Sequence, residues 1–222
     1  KNYDIVFLGV PCDYGASYRL GAKYAPRQLR EYSFWDRIYG EELYDLDHSE
    51  YLKTNDFKIA DLGDVYVNPT HPNENQDAIS EKTNAIAKDS FPVICGGDHS
   101  ITYGSFRGVY RAMKEKYPDY EIGIIHFDAH TDLRDEFLGR ELSHATVLKK
   151  CYEMLKSGTL YQFGIRSGDK EEFEWAKTHI HQRKFDLVGL DKCVEELKDK
   201  PVYITIDLDV LDPSIFPGTG TP

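Results

Sequence analysis

Runs of apolar residues recur along the chain, and each ends on glycine, proline or charged positions. Residues 3–10, 58–62, 91–95, 122–125, 160–164 and 202–206 are mostly apolar stretches of strand length. Continuous rather than alternating hydrophobicity marks strands buried on both faces. Helical segments lie between them. Residues 25–30 start a helix with Pro26 in its first turn. In residues 76–87, Ile79, Thr83 and Ile86 fall near one face, and residues 101–117 form a helix stopped by Pro118. Ser143 is placed to N-cap a helix over 144–155, and another follows Asp169. Residues 36–56 are charged and aromatic-rich without a clean period and read as loop and short pieces. Residues 67–75, which hold Pro69 and Pro72, read as a surface loop. Strands alternating with helices predict a three-layer α/β/α fold with a mainly parallel central sheet. Ligands of such sheets bind outside the carboxyl ends of the strands.

Three of the predicted strands run into groups that bind metals. The strand at 122–125 leads to Asp128, His130 and Asp132, spaced by two, so an extended backbone would put all three on one face. The strand at 91–95 leads to Gly96, Gly97, Asp98 and His99, and the one at 202–206 to Asp207 and Asp209. Buried carboxylates and imidazoles need a counter-charge, and a divalent metal is the simplest one. His99, Asp128, His130, Asp132, Asp207 and Asp209 are too many ligands for one tetrahedral zinc. The mixture suits a harder ion of higher coordination, with manganese the natural choice. Two ions could share the six residues, with Asp128 and Asp207 as bridges. Two divalent ions, four carboxylates and one hydroxide then sum to −1, a site suited to a cationic substrate. Taken singly, an Asp-x-Asp or a Gly-Gly-Asp-His is more often a turn; the weight lies in their joint occurrence at strand ends.

Composition narrows the partners. The 222 residues carry a net charge of −11, with acidic and basic residues interspersed. That excludes nucleic acid and anionic membrane as partners, because both require a basic surface. No apolar run is long enough to span a bilayer, and Lys1 starts no signal-peptide pattern. Cys12, Cys95, Cys151 and Cys193 are scattered without a C-x-x-C pair and read as free thiols of a reducing cytoplasm.

The motifs together resemble those of the ureohydrolase family, which includes arginases, agmatinases and formiminoglutamases. They are Gly-Gly-Asp-His-Ser at 96–100, Phe-Asp-Ala-His-Thr-Asp at 127–132, Ser-His-Ala-Thr at 143–146 and Ile-Asp-Leu-Asp-Val-Leu-Asp-Pro at 206–213. Gly-Val-Pro at 9–11, Gly-Ile-Arg-Ser-Gly at 164–168 and Pro-Gly-Thr-Gly-Thr-Pro at 217–222 also match, so the resemblance spans the chain. It implies an arginase-like fold with a two-manganese cluster. One ion is held by His99, Asp128, Asp132 and Asp207, the other by His130, Asp128, Asp207 and Asp209. A bridging hydroxide attacks the guanidinium carbon, and the intermediate collapses to urea and an amine. On the same resemblance Asp132 relays a proton to the leaving amine, His144 shuttles protons, and Thr221 lies near the guanidinium. A homo-oligomer, trimer or hexamer, is implied as well. The family continues for several strands and helices past the segment matching 217–222, with a guanidinium-binding glutamate there. The sequence is therefore expected to be a single domain over 1–222 that lacks its C-terminal part.

The loop after Asp132 guides the choice of substrate. Arginases carry small polar residues there for the substrate carboxylate, whereas residues 133–142 read Leu-Arg-Asp-Glu-Phe-Leu-Gly-Arg-Glu-Leu. Thr-Asp-Leu-Arg followed by Ser-His-Ala-Thr looks most like bacterial agmatinases, which implies agmatine hydrolysis to putrescine and urea. The alternatives are arginine, another guanidino acid or formiminoglutamate as substrate, and, in a different class, an inactive homologue serving as a binding subunit. Arg134 reads as a loop residue paired with Asp135 or Glu136 rather than as a carboxylate receptor.

Overall fold

A computed structural model describes residues 3–38, 42–53, 57–156 and 159–221. Lys1, Asp56 and Pro222, which end the expected domain, the 36–56 stretch and the 217–222 motif, lie outside the described residues. The elements in order are β1 (Ile5–Val10), α1 (Ala25–Ile38), β2 (Glu42–Asp45), β3 (Glu50–Lys53), β4 (Ile59–Asp64), α2 (Pro72–Ala87), β5 (Phe91–Gly96) and α3 (Ile101–Lys116). Then come β6 (Gly123–Phe127), α4 (Val147–Met154), β7 (Leu160–Ile165), α5 (Lys170–His179), β8 (His181–Lys184), α6 (Leu190–Glu196) and β9 (Val202–Ile206). All six expected strands are present.

The strands form two parallel sheets, ordered β4-β1-β5 and β8-β7-β6-β9, and a separate antiparallel hairpin of β2 and β3. Helices cover both faces of each parallel sheet. Val6, Leu8 and Val10 of β1 point toward Ile79 and Ile86 of α2. Phe7, alternating to the other face, meets Arg30 of α1, whose guanidinium lies 5.0 Å over the ring. In the second sheet Ile124 and Leu160 pack with Phe106 of α3, Leu148 of α4 and Ala176 of α5. Ile125, Tyr161 and Phe163 face Cys193 and Leu197 on the other side. The mainly parallel α/β/α arrangement follows from this two-sided burial. Among the described residues, β5 and β9 are sheet edges, and Ile204 and Ile206 of β9 are exposed.

Several elements depart from the sequence pattern. The loop expected at 67–75 ends early, because α2 starts at Pro72. Proline lacks only an N–H that a first helical turn leaves unpaired, so it starts this helix. The 36–56 stretch contains the end of α1 and the β2–β3 hairpin. Strand β8 and helix α6 were not foreseen: β8 reads His-Gln-Arg-Lys, polar because it is a sheet edge, and α6 has two turns. Ser143 precedes a 3-10 turn, His144–Thr146, before α4, and its N–H donates to Thr146 Oγ1 at 2.8 Å. No helix among the described residues is long and apolar enough to cross a membrane.

The turn after β5 is tied to the end of β1. Asp98 N–H donates to the Cys12 carbonyl at 2.7 Å, and Asp98 Oδ2 accepts from Gly15 N–H at 2.9 Å. A Cβ on Gly97 would fall 1.8 Å from that same Cys12 oxygen. Gly97→Ala must therefore push two backbone segments apart. We expect it to cost about 1–3 kcal/mol, a fall in Tm of roughly 2–4 °C per kcal/mol for a chain of this size, measured by thermal unfolding.

Candidate metal centre

The loops that follow β5, β6 and β9 converge at the carboxyl ends of the strands. The ladder persists just beyond β6: Asp128 N–H reaches the Phe163 carbonyl at 3.2 Å, and Asp207 N–H reaches the Phe127 carbonyl at 2.8 Å. After Phe127 the chain is no longer a strand, so strand alternation does not aim Asp128, His130 and Asp132. Local turns do. Asp128 Oδ1 accepts from His130 N–H at 2.6 Å, and Asp132 adopts the left-handed conformation with φ 52°. These two devices bring the three side chains to the same place as a pleat would have done.

His99 stands at the middle of one cluster. Its Nδ1 lies 2.9 Å from Asp128 Oδ2, 3.0 Å from Asp132 Oδ2 and 3.6 Å from Asp207 Oδ2. Its Nε2 is 2.9 Å from Thr205 Oγ1, which orients the ring. A second cluster adjoins it through Asp128. His130 Nδ1 is 3.4 Å from Asp128 Oδ1 and 3.1 Å from Asp209 Oδ2. Asp209 Oδ1 accepts from Ala129 N–H at 3.1 Å, and Asp207 Oδ1 from Asp209 N–H at 3.1 Å. The two oxygens of Asp128 thus face different clusters. All six residues expected as ligands are brought together.

Electrostatics shows what the site demands. Asp128, Asp132 and Asp209 are 1%, 6% and 2% exposed. Burial, reinforced by Asp128, pushes the Asp132 carboxyl up to about 8, and the same pair of causes moves Asp207 to about 6. Burial would lower the His99 imidazole, but Asp128 and Asp132 outweigh it and hold it well above its ordinary value. Hydrogen bonds to Asp128 and Asp209 lift His130 to about 10. Burial would raise Asp128 too, but His126, His130 and His99 outweigh it and hold that carboxyl well below the usual range, while burial lowers His126. Ligand atoms of His99, His126, Asp128 and Asp132 lie within 4.8 Å of one another, as do those of Asp128, His130 and Asp209. Two adjoining oxygen- and nitrogen-rich groups of this kind fit a pair of divalent cations. Two surface grooves of about 430 and 440 Å³ lie elsewhere and contain no cluster residue, so chemistry rather than concavity locates the site.

The other expected residues border the clusters. Thr221 Oγ1 donates to Asp209 Oδ2 at 3.0 Å. His144 packs edge-on against Phe137, with Nε2 3.4 Å from Ser17 Oγ, and burial holds its imidazole below the ordinary value. Arg134 does not pair with Asp135 or Glu136. Its Nη2 is 2.9 Å from Asp169 Oδ2 and its Nε 3.6 Å from Glu172 Oε2, while Asp135 is taken by Lys149 at 2.6 Å. The loop folds back on α5, and a partner distant in sequence wins.

Glu172 and His126 are among the residues at the site that the sequence motifs do not mark. Glu172 Oε1 accepts from Thr131 Oγ1 at 2.5 Å and Leu133 N–H at 2.9 Å, gripping the chain on both sides of Asp132. Its Oε2 accepts from Asp169 N–H at 2.7 Å. The Asp-x-x-Glu spacing at 169–172 is a capping-box signal that could have marked it. His126, fully buried, has Nε2 2.8 Å from Asp128 Oδ2. A histidine inside an apolar strand was its only signal.

In comparisons with known proteins, residues 3–222 match the arginase family. The chain is 42% identical over 226 aligned residues to an agmatinase of Bacillus subtilis strain 168, covering 100% of this chain and 73% of that protein. It is 40% identical to an agmatinase of Bacillus cereus, covering 98% and 71%. The crystal structure of an agmatine ureohydrolase of Thermoplasma volcanium superposes with a TM-score of 0.80 at 31% identity, covering 100% of this chain and 72% of that one.

Glu172→Ala removes the acceptor from a buried hydroxyl and a buried N–H. Each unmet group costs about 1–3 kcal/mol. A clear drop in the denaturant midpoint is expected, together with weaker metal binding from a loosened Asp132; an unchanged midpoint would show that Glu172 carries no load.

Proposed function

The chain belongs to the arginase family, and on that premise we propose that it hydrolyses the guanidinium of agmatine to putrescine and urea. His99, Asp128, Asp132 and Asp207 would hold one manganese ion, and His130, Asp128, Asp207 and Asp209 the other. The observation that carries this reading is Asp128, buried between two ligand clusters with one oxygen toward each. Bound there, a metal pair supplies Lewis-acid polarisation and lowers the pKa of a coordinated water from about 15.7 toward about 7.

The chain's own residues do the rest. A guanidinium is resonance-stabilised and gives up a C–N bond only as water adds to carbon and the departing nitrogen gains a proton. Asp132, buried with its carboxylate 3.0 Å from His99, would carry that proton to the leaving amine. His144, kept neutral by burial, can accept a proton and return it to solvent. Thr221 donates to Asp209 at the edge of the site and would lie near the guanidinium. Three further features support agmatine over substrates with a carboxylate. Arg134 is engaged by Asp169, Lys149 by Asp135, and the overall charge favours a cation. Agmatinases also stand among the relatives at 40% identity or more.

Manganese as the metal, a place in putrescine formation, a cytoplasmic compartment and assembly as a homo-oligomer, trimer or hexamer, complete the proposal. The four cysteines are free, as a reducing compartment requires.

Urea release from the manganese-loaded protein, offered agmatine, arginine and guanidinobutyrate in parallel, with formamide release from formiminoglutamate, tests the substrate. Agmatine should give the highest kcat/KM; preference for a carboxylate-bearing substrate would overturn the agmatine assignment and make Arg134 the first residue to mutate. Two substitutions test the roles. His144→Ala should keep manganese stoichiometry while kcat falls by roughly 10²–10⁴-fold, the usual worth of a positioned proton-transfer group. Asp128→Ala should lose the metal itself, read by metal analysis after dialysis.

A further inference from the structure

Beneath Asp128 runs a chain of side-chain amides and one imidazole that spans three neighbouring strands. Its first link has only one chemical solution. The Gln162 Nε2 position lies 2.7 Å from the Thr131 carbonyl oxygen. A carbonyl can only accept, so the Gln162 atom facing it is the NH₂ and the amide cannot be flipped. Gln162 Oε1 then accepts from Gln182 Nε2 at 2.8 Å, which agrees with that orientation. The same Gln162 NH₂ lies 3.0 Å from His126 Nδ1. Its second hydrogen points there, so Nδ1 is the acceptor and the imidazole proton sits on Nε2. That proton faces Asp128 Oδ2 at 2.8 Å.

We propose that Gln182, Gln162 and His126 form a positioning relay that fixes His126 as the Nε2–H tautomer, donating to Asp128, so that His126 orients a metal ligand without being one. The proposal rests on the reading of Asp128 as a bridging ligand and adds what holds it in place. His126 and Gln162 are register partners on β6 and β7, both 0% exposed. A polar pair at such positions is costly unless every group is satisfied, and here each hydrogen bond leads toward the site. Gln162 acts at two points. Through His126 it sets the carboxylate of Asp128, and through the Thr131 carbonyl it holds the backbone next to Asp132. Proximity groups His126 with His99, Asp128 and Asp132 as possible ligands, but a nitrogen that carries a proton has no lone pair to give. Partners of this kind, one step behind the ligands, typically change metal affinity by about 10–100-fold when removed.

The test uses the full chain. Nitrogen-15 NMR of the metal-free protein should show His126 with a protonated Nε2 and an unprotonated Nδ1. The opposite tautomer would overturn the relay. Manganese affinity by equilibrium dialysis supplies the second readout, with circular dichroism confirming that each variant is folded. His126→Phe should weaken binding about 10–100-fold. His126→Gln, which places an amide N–H near the lost Nε2–H, should recover most of that loss. A folded His126→Gln protein as weak as His126→Phe would make His126 a ligand, and undiminished binding in His126→Phe would remove it from the site. Gln162→Leu should mix the tautomers in the NMR spectrum, and a spectrum unchanged by it would also overturn the relay. Asp128→Asn serves as the control on the premise. Full manganese binding by that variant would refute the ligand assignment, whereas the tautomer is read without metal and stands or falls separately.

Discussion

Burying several carboxylates within a few ångströms of one another is the condition to which much of this structure answers. Asp128, Asp132 and Asp209 are almost wholly removed from water, and Asp207 joins them at His99. Each ionised group would be untenable alone. The fold meets the demand with backbone N–H donors at Asp128, Asp207 and Asp209 and with imidazoles from His99, His126 and His130. Positive charge at the centre is what the arrangement requires. The donor set is one that divalent ions satisfy, in keeping with the arginase family to which the chain belongs.

Holding ligands rigidly calls for residues that never touch the reacting atoms. Glu172 at the start of α5 grips Thr131 and Leu133, and so keeps Asp132 in a left-handed backbone that a side-chain-bearing residue adopts at a cost. Gln162 holds the Thr131 carbonyl. The tight apposition of Gly97 and Cys12 carries the β5 loop, and with it His99, against the end of β1. The site is thus supported from β1, β7, β8 and α5, although the candidate ligands themselves follow only β5, β6 and β9.

The loop after Asp132 shows how tertiary context reassigns a charge. Arg134 lies near the site in sequence, yet it spans to Asp169 and Glu172 and stacks over Phe137 at 5.1 Å. A guanidinium engaged on three sides braces the loop onto α5.

The sequence by itself determined six of the strands, because apolar runs of strand length mark them, most fully in β6 and β7, which are buried on both faces, and it determined the six clustered candidate ligands, because their types and strand-end positions recur together. It did not determine how those ligands are aimed. The even spacing of Asp128, His130 and Asp132 suggested a strand, but an Asx-type turn and a positive φ perform that task. Nor could it reveal β8, whose polar residues are tolerated at an edge, or the β2–β3 hairpin, a separate two-stranded ribbon in a stretch without a clean period. The pairing of His126 with Gln162, of Glu172 with Thr131 and of Arg134 with Asp169 was decided only by tertiary structure. Periodicity along a chain reports which face of an element is buried. Register between strands and the docking of a helix on a loop set which polar groups meet, and those are properties of the packed molecule.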